Sequence, residues 1–183
     1  NPIRSFDLVS KAEAAEKLGL DPNRPVVLSL GGSLGAVTLN EAWLGKVQEL
    51  LDAGVQVMWQ CGKRYYESLA PKVPKHPDLR LSAFIDDMAV AYSAADLVVS
   101  RAGGSTISEL IALSKPSILV PSPNVSEDHQ TKNALSLSEK GAAILVKDVD
   151  ARAQLVEKTL AVLQDEESLH TLRAEIEKME KHD

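Results

Sequence analysis

Apolar and polar positions along this chain fall into two alternating periods. Residues 25–32 (PVVLSLGG) are a continuous apolar run closed by glycine, the pattern of a strand buried on both faces. Leu39, Leu44, Val47, Leu50 and Leu51 then recur at helical spacing through residues 36–52. The alternation continues with strands over 55–60, 79–85, 96–100, 117–120 and 142–146. Helices are predicted over 63–70, from a cap at Asp86 or Asp87 through 95, over 105–113, 127–140, 151–163 and about 166–181. Gly141 stands where a helix C-terminal glycine belongs. About six strands alternating with helices predict an α/β class, a Rossmann-like doubly wound parallel sheet with ligands beyond the carboxyl ends of its strands. The organisation predicted is an interdomain linker over residues 1–15, one domain over 16–165 and a charged amphipathic helix over 166–183.

Composition changes this picture little. The chain has 183 residues, 44% hydrophobic and 25% charged, which is globular in character. Twenty Lys and Arg against 26 Asp and Glu give a net charge of −6, so no overall basic field exists to hold nucleic acid or anionic lipid. A single cysteine, Cys61, excludes an internal disulfide and fits a reducing, cytoplasmic setting. No apolar run approaches the roughly 18 residues of a membrane span, and no signal peptide opens the chain. NPIR reads as a linker entering a domain, and the first residue is Asn1, so a fragment of a longer protein is expected.

The chemistry concentrates in DLVVSRAGGSTISE, residues 96–109. A buried strand there ends in Gly103 and Gly104 and feeds a helix, leaving N–H groups unpaired at the positive end of the helix dipole. That is an anion site, most often for phosphate. Glu109, one turn into the helix, can accept hydrogen bonds from the two hydroxyls of a ribose. A second glycine turn, Gly31–Gly32–Ser33, ends the first strand. It is neither a Walker A loop, since no Lys-Ser/Thr pair follows, nor a GxGxxG fingerprint. Asp86 and Asp87 are explained as a helix cap rather than a metal pair. His76, His170 and His182 have no partners at ligand spacing, and Cys61 has no evident base to activate it. No metal and no organic cofactor is expected.

Four segments, LSLGGSLGAVTLNEAW, WQCGK, AFIDDMAVAYSAADLVVSRAGGSTISELIALSKPSILVP and EDHQTKNALSLSEKGAA, resemble in order the C-terminal domain of the MurG glycosyltransferase family. The resemblance runs from NPIR to about Val146 and implies the donor-binding half of a GT-B fold. The activity it implies is transfer of N-acetylglucosamine from UDP-N-acetylglucosamine to undecaprenyl-pyrophosphoryl-N-acetylmuramoyl-pentapeptide, with inversion and without a metal. The acceptor lipid, the catalytic base and the membrane surface would be engaged by a preceding domain, placing the whole enzyme on the cytoplasmic face of the bacterial inner membrane. Two other readings stay open. One is a different GT-B UDP-sugar enzyme, such as a diacylglycerol glycosyltransferase or an epimerase. The other is a non-catalytic nucleotide-sugar module.

The resemblance also implies donor contacts. Arg4 and Ser33 would approach the diphosphate, and Ile85 would contact uracil through its backbone. Gly103, Gly104, Ser105, Thr106, Ile107 and Ser108 would wrap the α-phosphate and ribose, with Glu109 on the ribose hydroxyls. His129 and Gln130 fall where the family meets the hexose. Gln130 is favoured because an amide both donates and accepts, and Asn133, one turn on, would support the loop.

Overall fold

A computed structural model describes residues 7–31 and 36–180. Six strands form one sheet: β1 (Val26–Leu30), β2 (Gln56–Gln60), β3 (Leu79–Ser82), β4 (Leu97–Ser100), β5 (Ser117–Leu119) and β6 (Ile144–Leu145). Every pairing is parallel and the order is β3-β2-β1-β4-β5-β6. The predicted doubly wound Rossmann-like sheet is the fold observed. The strands are each shorter than the apolar runs that signalled them, by one residue at the amino end for β2 and β4 and by the segment 83–85 for β3.

Helices α1 (Lys11–Leu18), α2 (Val37–Asp52), α3 (Tyr66–Leu69), α4 (Met88–Ala94), α5 (Gly104–Ala112), α6 (His129–Ser138), α7 (Asp148–Leu163) and α8 (Glu166–Glu180) cover the sheet. One core layer gathers Trp43, Val47 and Leu50 of α2 with Leu155 and Val156 of α7, against Val27, Val57, Trp59, Val99 and Ile118. The other gathers Ala14, Ala15, Tyr92, Leu110 and Leu137 against Leu28, Met58, Val98 and Leu119. Helix α8 belongs to both, with Leu172 in the first layer and Ile176 in the second, so the last helix packs on this domain.

Helix α1 begins inside the stretch read as linker. Ser10 caps it by accepting from Glu13 N at 3.1 Å, and Gly19 ends it at φ +72°. Its buried stripe is two alanines, Ala14 and Ala15, packed toward α4, a stripe too weakly apolar for periodicity to reveal. Two buried indoles tie α2 to the sheet: Trp43 donates to Ser29 Oγ at 2.7 Å and Trp59 to Asn40 Oδ1 at 2.8 Å. Asn40 in turn donates to the carbonyl of Cys61 at 3.0 Å, fixing the start of α2 beside the end of β2.

Candidate functional site

The winding of the sheet reverses between β1 and β4, and helices leave these neighbouring strands toward opposite faces. Such a switch point opens a crevice at the carboxyl ends. A cleft of about 1040 Å³ lies there, lined by Gly31, Thr38, Ile85, Tyr92, Arg101, Gly103, Thr106, Glu109, Glu127, Gln130 and Asp148, among others.

Glu109 is the best-defined group in it. Helix α5 buries Ile107 and Leu110 in the core, and Glu109 is 9% exposed. A buried carboxylate needs hydrogen-bond partners to offset its lost hydration. Tyr92 of α4 supplies one, its Oη donating to Glu109 Oε1 at 2.9 Å. Oε2 has no hydrogen bond among the described residues, and Glu109 borders the cleft. The carboxylate is therefore held in place with acceptor capacity to spare, the arrangement suited to a vicinal pair of hydroxyls.

The glycine turn does not draw on glycine's backbone freedom. Gly103, the residue before α5, has φ −67° and ψ 152°, and Gly104 has no positive φ either. Any residue adopts these angles, so the backbone turn does not itself require glycine. A Cβ on Gly103 would meet nothing nearer than Gln130 Nε2 at 3.9 Å, and one on Gly104 would meet nothing within 4 Å. What the missing side chains leave is open space at the N-terminus of α5, where unpaired N–H groups face outward.

Gln130 ties this turn to the loop after β5. Its Oε1 accepts from Ala102 N at 3.2 Å and from Ser122 N at 2.9 Å, and its Nε2 donates to Glu127 Oε2 at 3.1 Å. Glu127 Oε1 accepts from Ser122 Oγ at 3.0 Å and Asn124 Nδ2 at 3.1 Å. The donors at Asn124 and then Ser122 hold the Glu127 carboxyl below its ordinary range. Asn133 donates to Ala102 O at 3.0 Å, bracing the glycine turn from behind.

Arg101 crosses the cleft floor. Its Nη1 donates to Val120 O, Pro121 O and, at 2.5 Å, Asp148 Oδ1, while Asp148 Oδ2 accepts from Thr38 Oγ1 at 3.2 Å. The guanidinium thus joins the ends of β4 and β5 to α2 and α7. Among the described residues it is the only cation on the cleft wall.

Of the residues singled out from sequence, Ile85, Gly103, Thr106, Glu109 and Gln130 meet at the cleft. Gly104 and Ser105 are exposed beside it, Ser108 is half-buried, Ile107 points into the core, and His129 is exposed at the start of α6. Arg4 and Ser33 lie outside the described residues. Asp87 is the cap of α4, accepting from Val90 N at 3.1 Å. Cys61 is fully buried, and burial pushes its thiol pKa up, which makes it a poor nucleophile. Among the described residues no His, Cys, Asp and Glu cluster has metal-ligand geometry. Sequence reasoning missed Tyr92, Arg101, Glu127 and Asp148. Tyr92 looks like one more apolar position of α4, and Arg101 and Asp148 act across contacts far apart in sequence. Glu127 reads as one more acid of a polar loop, although its partners Ser122, Asn124 and Gln130 are close in sequence.

The model of the glycosyltransferase family 28 C-terminal domain matches residues 26–183. The chain belongs to that family. It is 48% identical over 179 residues to the UDP-N-acetylglucosamine–N-acetylmuramyl-(pentapeptide) pyrophosphoryl-undecaprenol N-acetylglucosamine transferase of Cytophaga hutchinsonii, covering 96% of this chain and 48% of that protein. The Porphyromonas gingivalis protein of the same name is 46% identical, covering 99% of this chain and 49% of its own length. Among solved structures, Acinetobacter baumannii MurG superposes with a TM-score of 0.74 at 30% identity, over 85% of this chain and 48% of that one. The glycosyltransferase VinC, solved with dTDP, matches in fold alone, with a TM-score of 0.67 at 22% identity over 98% of this chain and 41% of its own. The family 28 chain thus spans about half the length of the curated relatives it matches.

Proposed function

We propose that this family 28 domain grips UDP-N-acetylglucosamine for an inverting, metal-independent transferase that glycosylates undecaprenyl-pyrophosphoryl-N-acetylmuramoyl-pentapeptide. The observation that carries the reading is Glu109, clamped by Tyr92 at the switch-point cleft beside an open glycine turn. In this reading Glu109 accepts both ribose hydroxyls, and the backbone at Ile85 reads the uracil. Residues Gly103 to Ser108 wrap the α-phosphate and ribose, with the unpaired N–H groups of the first turn of α5 toward the phosphate. Ser33 and Arg4 approach the diphosphate, and Gln130 and His129 lie toward the hexose. An acceptor hydroxyl oxygen bonds to the anomeric carbon as the bond to the β-phosphate oxygen breaks. UDP leaves, and the hydroxyl proton passes to a base on the other half of the enzyme. The domain's contribution is to stabilise the charge gathering on the departing diphosphate with oriented N–H donors. The acceptor contacts belong to the other half of a cytoplasmic enzyme that sits peripherally on the inner membrane.

Calorimetric titration with UDP, UDP-N-acetylglucosamine and UDP-glucose tests this. Glu109→Ala is expected to weaken UDP binding by about 1–3 kcal/mol, the cost of losing a charged hydrogen-bond partner. The N-acetyl sugar is expected to bind more tightly than UDP-glucose. Unchanged UDP affinity in Glu109→Ala would sink the assignment, and a preference for UDP-glucose would move it to another UDP-sugar enzyme. This chain by itself is expected to transfer no sugar to the lipid acceptor, so turnover by it would refute the division of labour.

A further inference from the structure

Strand β3 is an outer strand, and the crossover that reaches it from β2 packs Tyr65, Leu69 and Val73 on the core layer shared with α2 and α7. From Lys63 to Arg80 this crossover carries five Lys or Arg against two Asp or Glu, in a chain whose net charge is −6. One of the two acids is already neutralised from elsewhere. Arg24 donates through Nη1 and Nη2 to the two oxygens of Asp78, at 2.7 and 2.9 Å. Lys63, Arg64, Lys72 and Lys75 are all exposed, and none has an ion-pair partner among the described residues. Aromatic rings stand among them: Tyr66 is 37% exposed and Phe84 47% exposed, with Lys63 Nζ 5.2 Å from the Phe84 ring centre.

Lysines and prolines on an outer strand also prevent sheet-to-sheet pairing. Lys75, Pro71, Pro74 and Pro77 lie in the loop before β3 rather than on it, so the device covers them only by keeping that loop from pairing. It does not account for the adjacent cations Lys63 and Arg64 beyond the end of β2, nor for the exposed rings of Tyr66 and Phe84.

We infer that this edge docks on an anionic bilayer, Lys63, Arg64, Lys72 and Lys75 meeting lipid phosphates while Tyr66 lies at headgroup level. Amphipathic rings interleaved with unpaired cations are the composition that interfacial recognition uses. A polynucleotide fits less well, because a chain of net charge −6 offers no extended basic field to follow a long polyanion. The net charge of −6 conceals the patch, since the acids that outweigh it lie elsewhere along the chain. The inference goes beyond the donor reading, which leaves membrane contact to the other half of the enzyme.

Sedimentation of the 183-residue chain with vesicles tests it. Vesicles of phosphatidylcholine with an equal part of phosphatidylglycerol, at low salt, are expected to retain the chain, and pure phosphatidylcholine is not. Each basic residue near an anionic surface contributes about 1 kcal/mol, roughly fivefold in partition. The variant Arg64→Ser/Lys72→Ser/Lys75→Ser is therefore expected to bind on the order of a hundredfold more weakly, with its UDP titration unchanged. Retention of the parent is expected to vanish at 0.5 M salt, a readout independent of any variant. Equal binding to neutral and anionic vesicles, an unweakened variant, or no retention at low salt would overturn the inference. So would tighter binding to single-stranded RNA than to the anionic vesicles. Failure of the parent chain to bind anionic vesicles while it still binds UDP counts against this edge and leaves the donor reading standing.

Discussion

The two ends of the sheet use similar charged side chains to opposite effect. At the amino ends charges are matched or pinned. Asp96 Oδ2 accepts from Lys11 Nζ at 2.7 Å and Val26 N at 2.9 Å, Arg24 forks onto Asp78, and Lys115 Nζ donates to Ala95 O at 3.0 Å. At the carboxyl ends the cleft wall is rich in acids. Asp86, Asp87, Glu109, Glu127 and Asp148 face Arg101 alone among the described residues, and Arg101 is already engaged by Asp148. An acid-rich wall repels a diphosphate, so the acids are suited to hydroxyl groups. The anionic part of a ligand belongs at the N-terminus of α5, where donors are uncharged N–H groups. The amino end is a finished structural lock, and the carboxyl end has acceptor capacity to spare.

The largest effects should separate these roles. Asp96→Ala removes a charged acceptor from a backbone N–H and from Lys11, and is expected to cost about 2–3 kcal/mol of stability in a urea titration. UDP affinity of the folded variant should stay unchanged. Glu109→Gln should do the reverse, lowering UDP affinity about tenfold with stability within about 1 kcal/mol. If both variants lose both properties, the two ends are not functionally distinct. Next in size is Gly103→Ala. Its φ suits alanine and its Cβ meets no atom within 3.8 Å, the nearest being Gln130 Nε2 at 3.9 Å. Stability should change by less than about 1 kcal/mol while UDP affinity falls about tenfold. Unchanged UDP binding would mean the open space at α5 is not ligand space.

The fold was legible because buried parallel strands announce themselves as apolar runs, and residues 25–32 and 96–100 did so. Glu109 and Gln130 were legible from short segments, the glycine-to-helix turn and the polar loop before α6. Tyr92 was not, since its hydroxyl finds Glu109 only once α4 and α5 pack together. Arg101 and Asp148 meet across 47 residues of chain, with β5 and α6 between them, a distance no local pattern encodes. Helix α1 was hidden by the small size of its buried face.

Glu127 sharpens the comparison within the cleft. Its carboxylate orients Gln130 through one oxygen and holds Ser122 and Asn124 through the other. Glu127→Gln replaces one acceptor oxygen by a donor, so either Gln130 Nε2 or the Ser122 and Asn124 side chains lose their acceptor. The loop is then held less firmly, while the two backbone donors to Gln130 Oε1 remain. UDP affinity should hold, while the preference for UDP-N-acetylglucosamine over UDP-glucose should shrink several-fold in competition titrations. A loss of UDP affinity as large as that of Glu109→Gln would show that this loop holds nucleotide rather than sugar.

The smallest effects are pH slopes set by the amino end. The side-chain hydrogen bonds from Arg24 hold Asp78 below its ordinary carboxylate range. Its contribution is therefore present above about pH 4 and lost as pH falls through the lowered value. Asp78→Asn should cost about 1 kcal/mol at neutral pH, modest because Arg24 is partly exposed, and the gap to wild type should close in acid. Burial, then the nearby Arg173, pushes Lys115 down to about 8. A lowered lysine costs stability while charged, and the cost is relieved as pH rises from about 8 toward the unfolded value near 10.4. Wild type should thus gain on Lys115→Met across that interval in urea midpoints. Neither substitution should alter UDP binding at neutral pH. If either does, the amino end is coupled to the cleft through the strands, and the lock and the site are one cooperative unit.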